Sequence, residues 1–250
     1  MTHTKIAIAL SFFLLVMAHT HAVQGNQLTA TQILDKVDAI YNAPKDRTAT
    51  MKLILIDNKG NEEVREITML QKGSDKRLAK FLSPPEQKGI GFLSLPDGVM
   101  YIYLPEYKKT RRIASHVKNT KFAGTDFTYE DMEAKRLSDD WNPELEGSEG
   151  DHYILSLKPK EGIRTDYARQ RIWVDKEIFY PVRMELYDRG NNLRKVMTAE
   201  DIEQMDGYWI ARVTIMEDLK TDHKTKMILE EVEYDSGIEE STFTERYLEK

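Results

Sequence analysis

From residue 47 to residue 234 the chain keeps returning to a period of two, and most of the alternating runs end in a short polar turn. Successive side chains on a strand point to opposite faces, so this alternation describes ribbons with one dry face and one wet face. Residues 47–57 carry Ala49, Met51, Leu53 and Leu55 on one face, and residues 63–71 return with Ile67 and Met69. Between them Asn58-Lys59-Gly60 is a hairpin turn with a glycine available for a positive φ. Further strands are predicted over 77–83, 89–95, 99–104, 108–113, 152–158, 168–175, 182–187, 193–203, 208–218 and 224–234. A weaker one is predicted over 141–146, with a turn at 146–150. About a dozen strands at this spacing point to an antiparallel sheet that curls or closes. No repeat, low-complexity segment or linker divides the chain, so residues 23–250 read as a single domain.

The helical signals are few. Residues 28–41 begin with Thr29-x-x-Gln32, a capping box, and Leu28 and Ile33 stand at the hydrophobic-staple positions. Ile33, Leu34, Val37, Ile40 and Tyr41 make one apolar stripe at helical spacing. That stripe fits ordinary core packing, and it also fits a lid helix that plugs a cavity and can be displaced. A second short helix is predicted over 242–249, capped by Thr242 and Glu245.

Residues 94–132 form the unusual stretch. Pro96-Asp97-Gly98 turns into the β-prone run 99–104, which Pro105 ends. Lys108, Lys109, Arg111 and Arg112 follow, a dense basic cluster in an acidic chain. Residues 124–131 then look like a loop opening a short helix. A basic cluster on a strand edge discourages sheet-to-sheet pairing. It is also a candidate docking site for a partner, because its local field opposes the global charge.

Residues 1–22 read as an export signal. Lys5 supplies the positive start, residues 6–18 are a short apolar core, and Thr20-His21-Ala22 ends in a small residue suited to cleavage. The core is shorter than the roughly 20 residues a spanning helix needs, so the mature chain is expected to be soluble; a retained anchor is the alternative. Removing Lys5 takes the formal charge from −6 to −7, which argues against a nucleic-acid partner. There is no cysteine, hence no disulfide framework, no thiolate nucleophile or metal ligand, and no lipid-bearing terminal cysteine. His116, His152 and His223 sit on separate elements without metal-ligand spacing, and neither a nucleophile elbow nor a phosphate-binding loop occurs. The expectations are therefore no enzyme, no metal and no cofactor.

A curled sheet with one apolar face and too few helices to cover it leaves a concave apolar hollow. Its expected lining is Ala49, Met51, Leu53, Leu55, Ile67, Met69, Met100, Ile102 and Leu104, the more apolar parity of their strands. A register change of one residue would send them all outward. On the 99–104 run the opposite parity, with Tyr101 and Tyr103, stays open, since a tyrosine ring can pack while its hydroxyl stays wet.

The segments TATQILDKVDAIY, FLSPPEQKGIGFLSL, MYIYLPEYKKTRRI, GTDFTYEDM, IWVDKEIFYPVRMELYD and FTERYL, in this order, resemble the outer-membrane lipoprotein-sorting protein family, a LolA-like group of exported proteins. The resemblance spans nearly the whole mature chain. It implies an incomplete, strongly curved antiparallel β-barrel with helices covering an apolar mouth. It implies a periplasmic carrier of lipid acyl chains or lipoproteins between the inner and outer membranes. Members of this subgroup also look like companions of RND-type exporters of hydrophobic molecules, so an accessory to such an inner-membrane transporter is the alternative. LolA carriers use an arginine near the hollow in accepting cargo. Arg47 is the candidate for that place here, although the surrounding motif departs from theirs. The missing cysteine argues against the membrane-anchored, LolB-like type. A lipid-acting enzyme is a third reading, for which no assembled nucleophile is visible.

Overall fold

The computed structural model describes residues 28–250; the expected leader at 1–22 and the start of the mature chain lie outside them. Thirteen strands form one antiparallel sheet, curved but not closed. In chain order they are β1 (Asp46–Ile56), β2 (Glu62–Lys72), β3 (Lys76–Ser83), β4 (Gly91–Leu95), β5 (Val99–Leu104) and β6 (Lys109–Arg112). Then come β7 (Trp141–Glu149), β8 (His152–Pro159), β9 (Tyr167–Asp175), β10 (Pro181–Asp188), β11 (Leu193–Met205), β12 (Tyr208–Asp218) and β13 (His223–Tyr234).

Every pair of neighbours is consecutive in sequence except one. β1 lies between β2 and β13, so β1 to β6 run out to one edge and β7 to β13 return from the other. Short turns impose most of this order, with Gly60 at φ 82° in the first of them. The strand at 141–146 is longer than its sequence suggested. Gly147, with φ 148°, takes a register shift, and pairing continues to Glu149, so the turn is displaced to Gly150 and Asp151.

Because β6 and β7 are opposite edges, the link from residue 113 to residue 140 must travel from one rim of the sheet to the other. It crosses the inner face and fills part of it. Phe122, Phe127 and Met132 from this link join Leu53, Leu55, Ile67, Phe81, Phe92 and Met100 in the main core. Phe122 packs 5.6 Å from Phe81 and, edge-on, 5.5 Å from Phe92, centroid to centroid. The short helix expected at 124–131 does not form. Thr128 and Asp131 instead exchange backbone-to-side-chain hydrogen bonds of 2.7 and 3.1 Å across a turn. The helix in this region comes later, as the single turn α2 (Leu137–Asp140).

The helix α1 (Ala30–Tyr41) has the predicted capping box at Thr29 and Gln32. It lies against β7, β12 and α2. Ile33, Leu34 and Val37 are buried in the main core, whereas Ile40 is half-buried and outside it. The remaining fully buried position of α1 is Asp38. Its carboxylate accepts from the backbone N–H groups of Leu137 and Ser138 at 2.8 and 2.9 Å, which ties α1 to α2.

The C-terminal helix is not on the inner face with the other two. The helix α3 (Glu245–Leu248) is capped by Thr244 rather than Thr242, which is itself buried. With Ile238 and Phe243 it covers the opposite face of β3–β5, against Leu78 and Leu93 and alongside Tyr101 and Tyr103. This settles the open parity of β5: the tyrosines face outward onto α3, and Met100 faces the main core. At Gly91 the approach of α3 needs a glycine, since a Cβ there would lie 2.6 Å from Leu248 Cδ1. Gly91→Ala should therefore push Leu248 out of its seat and cost about 1–3 kcal/mol. Thermal melting, together with faster proteolysis of the C-terminal segment, checks this.

Candidate functional site

The nine predicted lining residues do not share one fate. Ala49, Leu53, Leu55, Ile67, Met69 and Met100 are buried, and Met51, Ile102 and Leu104 are half-buried. The filled part of the inner face turns most of them into packed core. Of the nine, Ala49, Met51 and Met69 border a cavity on the inner face. It adjoins a second; the two, of about 240 and 220 Å³, share Tyr41, Arg47, Arg77, Phe127, Asp131 and Met197 as wall.

The first cavity opens between β1–β2 and β11–β13, with Met51, Met69, Met132, Met197, Met227, Ile210 and Leu229 in its wall. The second lies toward β9–β10 and the foot of α1, with Met184, Met197, Met216, Leu186 and Trp141. Seven of the chain's 11 methionines thus converge on the two cavities. Methionine is unbranched and polarizable, and it suits a surface that must repack around varied apolar guests. Met184, Met197, Met216 and Met227 lie on later strands whose faces the sequence reading left unassigned. Alternation marks inward residues there too, but it does not tell which inward residues are left uncovered.

A polar row ends the apolar wall. Antiparallel register sets Arg47 opposite Gln71, Gln71 opposite Arg77 and Arg77 opposite Ser94. The Gln71 Oε1 accepts from Arg47 Nη2 and from Arg77 Nη2, each at 2.9 Å. Arg77 Nη1 donates to the Met132 carbonyl at 3.0 Å, and its Nε has no partner among the described residues. Neither arginine has a carboxylate within ion-pair distance among them. Burial, with Arg47 beside it, pushes the Arg77 guanidinium down to about 9. The sequence carried a signal for this row: Arg47, Gln71 and Arg77 are polar residues on the apolar parity of their strands, two positions from Ala49, Met69 and Ala79.

Two phenols are held far from their ordinary titration. Burial pushes Tyr41 well above 10.0, with Tyr180 adding to the shift and Arg47 opposing it. Burial followed by the Asp131 charge does the same for Tyr167. A phenol whose folded pKa exceeds its unfolded value stabilises the fold below the unfolded pKa, and that contribution is lost as pH rises through the folded one. Stability should therefore fall as pH climbs above about 10, with the last phenolate absorbance appearing together with unfolding.

The link over the inner face is pinned by buried charge. Asp126 is fully buried; its carboxylate meets Lys121 Nζ at 2.8 Å, Thr225 Oγ1 at 2.8 Å and His223 Nδ1 at 2.6 Å. Lys195 Nζ donates to the Asp126 carbonyl at 2.7 Å and to Asp131 Oδ2 at 3.1 Å. His223 is thus a satisfied structural residue. A third depression, of about 890 Å³, is an open polar groove beside this network. Its charges are largely paired, as in Arg189–Asp166, Arg194–Asp218 and Lys195–Asp131, so it does not suit an apolar guest. The edge residues Lys108, Lys109, Arg111 and Arg112 are exposed and lack acidic partners among the described residues. Among those residues, no group of three or more His, Cys, Asp or Glu is placed to hold a metal ion. Among the described residues, none of the helices is long and apolar enough to cross a membrane.

No curated protein matches the chain. Among solved structures it is similar to a DUF1329 family protein from Desulfovibrio piger, 25% identical, covering 88% of this chain and 97% of that one at a TM-score of 0.83. It is similar to a putative outer membrane lipoprotein-sorting protein domain from Vibrio parahaemolyticus, 27% identical, with 87% and 98% covered and a TM-score of 0.75. A LolA superfamily protein from Nitrosomonas europaea is 20% identical, with 88% and 100% covered at 0.75, a likeness of fold. A family model described as "-like: Uncharacterized protein" matches residues 73–250, more than half of the chain. The chain belongs to the family of that model and has the fold of the LolA superfamily.

Proposed function

We propose that this protein is a non-catalytic periplasmic carrier that shields a lipid acyl chain in the methionine-lined hollow and delivers it toward the outer membrane. In this reading residues 1–22 are a cleaved export signal and residues 23–250 are one carrier domain. The observation that carries the reading is the convergence of seven methionines on two adjoining cavities. It is supported by the lipoprotein-sorting description of the Vibrio parahaemolyticus relative, which matches over most of both chains. Each methylene moved from water into such a hollow gains about 0.8 kcal/mol, so an acyl chain needs no covalent bond to stay. Lys108, Lys109, Arg111 and Arg112 on the β6 edge serve as the docking patch for the inner-membrane donor.

The test is titration of the mature protein with a fluorescent fatty acid, beside mass spectrometry of co-purified lipid. Met197 belongs to both cavities, so Met197→Trp should fill the shared space. Binding should be lost while the melting temperature stays near that of the original protein. Full binding in a folded Met197→Trp protein would remove the hollow as the cargo site.

A further inference from the structure

We propose that Arg47 and Arg77 form a headgroup site for an oxyanion, so that the cargo is a single-chain acidic amphiphile of the fatty-acid class. This rests on the carrier reading and narrows it. The two guanidinium groups meet on one neutral acceptor, the Gln71 carbonyl, at 2.9 Å each. Nothing else in the row neutralises them, and the Arg77 Nε is buried without a partner among the described residues.

The acids that border the same space are engaged elsewhere. Asp131 is taken by Lys195 at 3.1 Å and by the Tyr167 hydroxyl at 3.0 Å. Glu133 is taken by Lys118 and Lys135, each at 3.2 Å. Burial pushes the Glu130 carboxyl up, toward its neutral form. Two like charges held side by side in a half-buried wall disfavour the empty state. A carboxylate or phosphate head would accept several of their N–H groups at once, the geometry for which a guanidinium fork is suited.

Both arginines border both cavities, so a head bound there would leave its tail against the methionines. Size sets the number of tails. Ligand pockets span about 300–1,000 Å³, and cavities of about 240 and 220 Å³ stand together near the lower end. One chain fits that space; several do not.

The experiment uses the mature chain, with palmitate, hexadecanol and inorganic phosphate competing against a fluorescent fatty acid, and thermal melting of each mixture. Palmitate should bind about tenfold or more tighter than hexadecanol, as expected when charged hydrogen bonds are gained. In the Arg47→Gln/Arg77→Gln double variant that ratio should fall to about one, and the unliganded melting temperature should not drop. Equal affinities for acid and alcohol in the original protein would overturn the headgroup site and leave the carrier reading standing. Protection by phosphate equal to that by palmitate would replace the amphiphile with a free oxyanion. If neither long-chain ligand binds, the carrier reading falls and this inference with it.

Discussion

Phe122→Ala should lower the stability of the protein by about 3–5 kcal/mol. Phe122 is 2% exposed and sits among Phe81, Phe92 and Tyr129, with centroids 5.5 to 5.8 Å away. It belongs to the link between the two sheet edges, yet it packs into the middle of the main core. Truncation forfeits the transfer free energy of the ring and leaves a cavity whose walls are sheet side chains unable to collapse far. Denaturant unfolding with an unchanged m-value is the measurement. A loss under about 0.5 kcal/mol, the level of an ordinary surface change, would mean that the link only rests on the sheet.

Lys195→Met should cost a similar amount by a different route. Lys195 is 4% exposed, and its ammonium joins the carbonyl of Asp126 to the carboxylate of Asp131. Methionine keeps the length of the side chain but removes both bonds, leaving a carboxylate without its cation and a carbonyl without its donor. Breaking one side of a buried ion pair costs about 3–5 kcal/mol, whereas replacing both sides with neutral groups is often close to harmless. The Lys195→Met/Asp131→Asn protein should therefore recover much of the loss. If the double variant is as unstable as the sum of the single ones, the pair is not coupled. Phe122 and Lys195 hold the same link, so their effects should combine less than additively.

The resemblance and the alternation together carried the sheet, the capped helix and the apolar inner face. The strands were legible because each one states its dry face locally, in residues two apart, and because the turns between them carry glycine, asparagine and aspartate. The helix α1 was legible from Thr29, Gln32 and the 33–34–37 stripe for the same reason. The 113–140 link was not. Its anchors, Phe122, Asp126 and Met132, follow no period, because their partners lie on β1–β5 and β11–β13, far away in sequence. Nor does a sequence state that β1 pairs with β13. That single pairing makes β6 and β7 opposite rims and so sends the link across the inner face. Once there, it converts Leu53, Leu55, Ile67 and Met100 from expected lining into core, and leaves the open space farther along the sheet. The arginine row shows the same division: parity put Arg47, Gln71 and Arg77 on the inner face, but only cross-strand register made them neighbours. On β1 and β2 the sequence determined which way each side chain points, whereas on β5 the contacts with α3 decided it. Tertiary structure decided which of the inward ones are covered, because covering depends on contacts between residues that no local pattern relates.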